Sequence, residues 1–362
     1  MCLLLSLSLL PAAAQTAMLS DLTGKLDKLV PELLSSEQIP GAAIAIIHQG
    51  NVIWAQGYGA ADLKTQQPVT ADSIFSVASI SKAVTAWEVM RLVEAGKLDL
   101  DAPIEQYLQS WKLPKSAYDS KQVTVRRVLS HTAGLSIDGY PGFEPGDRLP
   151  TLEDFLSTPN RAVAIAAEPG KRFSYSGGGY TVMQLALQDI SGQPFAELMQ
   201  TAVLNPLKLS HSSFIWSPEL KAVTAYDRAG EPFTKVVHLD QAAGGLYASV
   251  NDLATFFTSV MPGHDWLKPE SIGEMFGPAP KTGDRYGFGY FNVKLKGNRR
   301  AYWHDGIGVG ARSLFMLLPD TGDGVVILTN SGNGHHIMKA ILCAWGEWAA
   351  PDAKALCGYF AS

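Results

Sequence analysis

No part of the 362-residue chain concentrates lysine and arginine, and the formal net charge is −5 with a pI near 5.9. A mildly acidic protein without a basic patch is a poor nucleic-acid ligand. The basic residues of the 281–300 stretch are spread out and read as a solvated face. Internal repeats and low-complexity linkers are absent. Beyond the first fifteen residues no apolar run is long enough to cross a bilayer, so no stable membrane span is expected. The chain has no H-E-x-x-H, and the adjacent pair His335-His336 has poor spacing for one zinc site, so neither a metal nor another cofactor is expected. It also lacks G-x-S-x-G, which disfavours an α/β-hydrolase. Cysteine is scarce, with Cys2, Cys343 and Cys357 alone.

What is present is an ordinary globular balance, 46% hydrophobic and 17% charged, long enough for one large or two fused domains. Residues 3–14 read LLLSLSLLPAAA. A short apolar run ending in small residues is the pattern of a cleaved leader, so residues 1–14 read as a signal peptide and the mature protein as periplasmic or secreted. No Lys or Arg precedes the run, which departs from that pattern. Cys2 lies before the run and is not placed like a lipoprotein cysteine. An oxidising compartment would permit a Cys343–Cys357 disulfide, and two unpaired thiols are the alternative.

Apolar residues at helical spacing run from Leu19 to Leu34. Residues 41–59 hold two apolar runs around Gln49-Gly50-Asn51 and read as a β-hairpin. A helix is predicted over 79–96. Helical patterns and Pro/Gly-rich loops alternate between about 100 and 240. Short β-rich segments return at 286–293, 301–306, 312–319 and 324–330, before a last helical pattern over 335–349. Strands at both ends of the chain and helices in its middle predict an α+β fold. One antiparallel sheet would be built from both ends (about 19–98 and 245–350) and flanked by the N- and C-terminal helices. A mostly helical subdomain (about 99–244) would be inserted in the middle, with a cleft between the two.

Ser79-Ile80-Ser81-Lys82 is the one S-x-x-K in the sequence and opens the predicted helix. Residues three apart share a helix face, so Lys82 would project beside Ser79. A serine hydroxyl needs a base, and a lysine whose pKa is lowered by burial can be one. The alternative is a serine N-cap and a solvated lysine. Tyr175, in GKRFSYSGGGYTV (170–182), sits beside glycines 177–179 that allow close backbone approach. Near Lys82 its phenol could relay a proton to or from Ser79; otherwise it is a packing tyrosine. Trp303-His304-Asp305-Gly306 ends a predicted strand. The backbone N–H of Ile307 and that of Ser79 are the candidate oxyanion donors. His304 could hold a substrate carboxylate, bond the tyrosine, or be structural. Tyr140 and Phe143, in the segment expected to border the site, are either contacts or packing aromatics.

With these elements in order, the chain resembles the serine β-lactamase and penicillin-binding protein superfamily, for which S-x-x-K and K-T-G are signatures. It looks closest to the branch of class C β-lactamases, D-alanyl-D-alanine carboxypeptidases and related serine esterases. GYGAAD (57–62), LSHTAGL (129–135), EPGKRFSYS (168–176), AAGGLYAS (242–249) and WHDGIGVG (303–310) carry the likeness across residues 20–350. The resemblance implies a β-lactamase/transpeptidase-like fold and an acyl-enzyme mechanism. Ser79 matches the family nucleophile, Lys82 its lysine and Tyr175 the tyrosine of Y-x-N. His304-Asp305-Gly306 matches the third motif, where this branch often has H-x-G, and would bind substrate.

Two departures bear on function. Gly177 stands where the family has the Asn that orients substrate and lysine, which disfavours efficient β-lactam hydrolysis. A literal Lys281-Thr282-Gly283 precedes the YGFGY segment, whereas the family motif follows it, so it reads as a loop. The expected substrate is a small-molecule or peptide acyl donor, most simply a D-amino-acid peptide or small ester. A class C-like β-lactamase and a non-catalytic penicillin-binding or sensor protein are the alternatives.

Overall fold

A computed structural model describes residues 12–233, 236–349 and 356. Helix α1 (Ala12–Ser36) precedes strands β1 (Gly41–His48), β2 (Asn51–Asp62), β3 (Gln67–Pro68) and β4 (Phe75–Ser76). A 3-10 turn at Ala78–Ile80 leads into α2 (Ser81–Glu94). The middle of the chain supplies α3 (Val125–Leu129), α4 (Leu152–Ser157), α5 (Gly177–Ser191), α6 (Phe195–Met199) and strand β5 (Ser212–Ser213). Then come α7 (Gln241–Gly244), β6 (Tyr247–Ala248), α8 (Val250–Thr258) and α9 (Pro269–Phe276). The end of the chain forms β7 (Phe291–Lys294), β8 (Arg300–Gly308), β9 (Ala311–Leu318), β10 (Asp323–Thr329) and α10 (His335–Ala349).

The two ends of the chain meet in one antiparallel sheet of order β3-β2-β1-β10-β9-β8-β7, with Ile44 of β1 opposite Ile327 of β10. The turn joining β1 to β2 uses Gln49 (φ +50°) and Gly50 (φ +74°). Two left-handed residues match the twist of a tight hairpin. Both faces of the sheet are covered, which is why β1 reads as an unbroken apolar run and not as an alternation. Ala42, Ile44 and Ile46 pack with Leu26 and Val30 of α1 and Ile341 and Trp345 of α10. Ala43, Ala45 and Ile47 join the larger core around α2, α5 and α8. Burying each such isoleucine contributes about 1.5–3 kcal/mol. That larger core runs without a break from the sheet into the helical middle, and the site lies along it.

The structure departs from the sequence reading in several places. A second, three-stranded sheet (β4-β6-β5) fastens residues 75–76 to 247–248 and 212–213. The segment 286–293 is a strand only from Phe291. Before it the chain turns, because Gly289 (φ +81°) presses on α2: a Cβ there would lie 2.7 Å from the Ala83 Cα. The first predicted helix is longer, and Ala12–Ala14 of the expected leader belong to α1; the rest of that leader lies outside the described residues. Cys343 is disulfide-bonded, and Cys357 lies outside the described residues. No helix among the described residues is long and apolar enough to cross a membrane.

Candidate active site

The turn before α2 is strained where Ser79 sits. Ala78 has φ +45°, a left-handed value that costs a residue with a Cβ about 1 kcal/mol or more. Its surroundings hold it there. Ser81 Oγ donates to the Ala78 carbonyl (2.6 Å) and accepts from the Leu246 N–H (3.0 Å). Ser313 Oγ donates to the Val77 carbonyl (2.8 Å). Strand β8 presses on the same turn: a Cβ on Gly306 would lie 2.2 Å from the Val77 carbonyl oxygen and 2.1 Å from Ser313 Oγ. Only glycine permits that approach, and it sets Ile307, the next residue, beside the turn. The Ile307 side chain points outward and is 68% exposed.

The N-cap positions of the 3-10 turn and of α2 are held by Val77 and Ile80 and not by Ser79, and Lys82 is 2% exposed. Lys82 Nζ donates to Ser79 Oγ (3.1 Å) and to the Ala243 carbonyl (2.6 Å). Thr85, one turn on, donates to the Ala242 carbonyl (3.0 Å). The last carbonyls of a helix lack partners within it. Here the end of α7 is satisfied by side chains from one face of α2, and that fixes the direction of Lys82. Burial lowers the Lys82 pKa to about 7, against the opposing pull of Asp240, Asp138 and Asp305. A large fraction is therefore neutral at physiological pH and can accept a proton.

Tyr175 reaches the same spot from the loop before α5. Ser176 caps that helix, its Oγ accepting from the Gly179 N–H (2.9 Å). Lys82 Nζ lies 4.9 Å from the centre of the Tyr175 ring. Burial raises the phenol pKa above its usual value, while a hydrogen bond with Ser79 works in the opposite direction. Residues 79, 82 and 175 thus share one contact network, in which an alcohol, an amine and a phenol can exchange a proton. Gly177 has a local cause. Its N–H donates to the Asp138 carbonyl (2.8 Å), and a Cβ would lie 2.6 Å from that oxygen. The backbone of residue 138 fills the space that an asparagine side chain would leave through.

His304 is not a ligand facing the cleft. It is 1% exposed, with Nε2 3.3 Å from the Tyr286 hydroxyl and Nδ1 2.6 Å from the Asp305 carbonyl. Burial, helped by the nearby Lys82, drops its pKa to about 3. A neutral imidazole with both nitrogens engaged has nothing to offer a substrate carboxylate. The direct bond to Tyr175 is also not seen; the two ring centres are 6.1 Å apart. Asp305 is more open, with a 40% exposed side chain. Tyr140 and Phe143 pack on Phe155 (ring centres 4.5 and 5.8 Å), with the Arg161 guanidinium over Phe143. Lys281 lies in a turn (φ +69°) and lines a separate cavity of about 590 Å³ with Lys121, Arg126 and Arg127.

Two residues behind the site carry no role in the sequence reading. His131, in LSHTAGL, is buried with its ring 4.2 Å from that of Tyr175, and its φ of +57° marks an unusual backbone. Tyr286, in YGFGY, is fully buried between His131 and His304. Among the described residues no group of three or more His, Cys, Asp or Glu is arranged to hold a metal ion.

The chain is similar to several known proteins. The staphylococcal protein flp (Staphylococcus aureus strain N315) is 23% identical over 345 residues; the match covers 90% of this chain, which spans only 66% of that relative's length. Esterase EstB of Burkholderia gladioli is 27% identical over 322 residues, covering 76% of this chain and 81% of the esterase. The crystal structure of SurE with D-Leu superposes with a TM-score of 0.75 at 25% identity, covering 92% of this chain and 76% of that one. The family model Beta-lactamase matches residues 26–341, and the chain belongs to that family, within the serine β-lactamase and penicillin-binding protein superfamily.

Proposed function

We propose that the protein is a serine hydrolase that forms an acyl-enzyme on Ser79 and acts on D-amino-acid peptides or small esters. The observation that carries this reading is the buried lysine of low pKa bonded to Ser79 Oγ, with Tyr175 against both. Neutral Lys82 takes the Ser79 proton as Oγ attacks the substrate carbonyl. The N–H groups of Ser79 and Ile307 receive the oxyanion; losing one such donor typically costs about 3 kcal/mol of barrier stabilisation. The proton passes through Tyr175 to the leaving amine or alcohol as the C–N or C–O bond breaks. Water then attacks the acyl-enzyme, giving its proton back through Tyr175, and Ser79 is restored.

The substrate preference rests on what the site offers a carboxylate. β-Lactams carry an acid that needs a cation, and His304 is neutral and buried. The likeness to an esterase and to a protein solved with D-Leu supports esters and D-amino-acid amides. The leader-like residues 1–14 support a periplasmic or secreted enzyme, where D-amino-acid peptides are met.

A fluorophosphonate probe should label the wild-type protein and fail on Ser79→Ala; equal labelling of the variant removes Ser79 as nucleophile. Turnover of p-nitrophenyl acetate and of a D-Ala-D-Ala peptide should exceed that of nitrocefin, and the reverse order would make it a β-lactamase. A labelled adduct with no turnover of any of the three would point to a sensor.

A further inference from the structure

At both ends of the hydrogen-bonded chain behind the site, backbone groups set the direction. The Ser176 N–H donates to His131 Nδ1 (3.0 Å), so that nitrogen carries no proton and Nε2 carries it. At the other end the Asp305 carbonyl can only accept, so His304 Nδ1, 2.6 Å away, carries the proton and Nε2 is the bare nitrogen. Between the two lies the Tyr286 hydroxyl, 3.2 Å from His131 Nε2 and 3.3 Å from His304 Nε2. It accepts from the first and donates to the second. Tyr180 gives its own proton to the Leu129 carbonyl (3.0 Å), so it is not the donor to His304; its oxygen also lies beside the Tyr286 hydroxyl and competes with His304 Nε2 for that proton. A hydroxyl is the one group at this position that can do both, and each of the three side chains is at most 2% exposed, beyond the reach of bulk water.

Each end of this chain belongs to a segment of the site. Ser176 follows Tyr175 directly, and the His131 ring lies against the Tyr175 ring. Asp305 lies two residues before Ile307, on the strand that Gly306 presses against the turn of Ser79. The loop that carries the phenol and the strand end that carries the candidate oxyanion donor are otherwise remote in sequence.

We propose that Tyr286 is a positioning residue, which ties the Tyr175 loop to the 304–307 end of β8 through a proton-ordered chain, Ser176 N–H to His131 to Tyr286 to His304 to the Asp305 carbonyl. It touches neither substrate nor the reacting atoms. Its effect on rate rests on the Ser79 hydrolase reading, but the proton order does not. In Tyr286→Phe, His131 Nε2–H loses its acceptor and His304 Nε2 its donor, and the two segments are free to separate. Ground-state binding depends less on that spacing than oxyanion stabilisation does.

The wild-type protein with ¹⁵N-labelled histidine tests the order directly by long-range ¹H–¹⁵N correlation at pH 7. His131 should appear as the Nε2–H tautomer and His304 as the Nδ1–H tautomer; the opposite tautomer on either ring overturns the proposal, whether or not any variant folds. Tyr286→Phe, checked for folding by circular dichroism, should lose tenfold or more in kcat on p-nitrophenyl acetate with KM within about twofold. It should still be labelled by fluorophosphonate at Ser79. An unchanged kcat in a folded variant that keeps Ser79 labelling sinks the positioning role and leaves the hydrolase intact. Absence of labelling in the wild type sinks the hydrolase reading and the positioning role together, leaving the tautomers to be judged on their own.

Discussion

Lys82 and Lys281 each lie in a stretch that spells a signature of the same superfamily, and the fold treats them in opposite ways. Lys82 is 2% exposed, held by Ser79 and Ala243, with its pKa brought down to about 7 by burial. Lys281 is exposed in a left-handed turn, beside three other basic residues and away from all of this. The difference teaches that a lysine becomes a base through its surroundings and not through its motif. Taking an ammonium out of water penalises its charged form and brings the neutral amine within reach, as at Lys82.

The comparison breaks most sharply at Lys82 itself. Lys82→Ala should lower kcat on p-nitrophenyl acetate by about 10³–10⁴-fold, as for loss of a positioned base; a loss below tenfold would move the base elsewhere. Tyr175→Phe, which keeps the ring against Lys82 and His131 but removes the proton carrier, should cost about 10²–10³-fold in the same assay.

Helix α2 supplies a companion case for burial. Glu88 is 3% exposed; its Oε2 lacks a hydrogen bond and faces Arg91 only at 3.9 Å, and desolvation raises its pKa to about 7, against the pull of Arg91 and Lys97. The folded state therefore holds a proton there that the unfolded state releases near pH 4.5. Stability is full below that pH and falls as pH rises to about 7, by about 3 kcal/mol for a shift of this size. Glu88→Gln should remove this slope, gaining up to about 3 kcal/mol at pH 8 and nothing at pH 4 in urea titrations.

The Lys82 pKa should also appear as the acid limb of kcat/KM, with a tenfold fall per pH unit below about 7, because the ammonium cannot accept the serine proton. A limb near pH 10 would mean a solvated lysine. The smallest effect belongs to Lys281→Ala, which should change kcat less than twofold.

Much of the architecture was legible because its signals are local. Helical spacing in 19–34, the Gln49-Gly50 turn and the β-rich segments near the end of the chain each declare themselves within a dozen residues. Ser79 and Lys82 were legible as a pair because three residues make one helix turn. Elements β4, β5 and β6 were not, since two-residue strands carry no period. The 286–290 stretch has strand composition, but its conformation is decided by contact of Gly289 with α2, which no window of sequence contains. Gly177 was visible as a departure; its cause, the carbonyl of residue 138, was not. Which of its three readings His304 follows was not legible for a related reason. A histidine at a strand end looks available until the tyrosine that occupies it is known, and Tyr286 lies eighteen residues away in sequence.

The pairing of Ile44 with Ile327 has a consequence for how the fold comes into being. During synthesis β1 has no neighbour on its β10 side until residues 323–329 have emerged, so its apolar edge must wait, unsatisfied and prone to aggregate. Contacts of such sequence separation make folding slow. The turn that presents Ser79 receives its β8 support only after strands β8 to β10 dock, so the geometry around Ser79 should be completed late, when the two arms of the sheet have met.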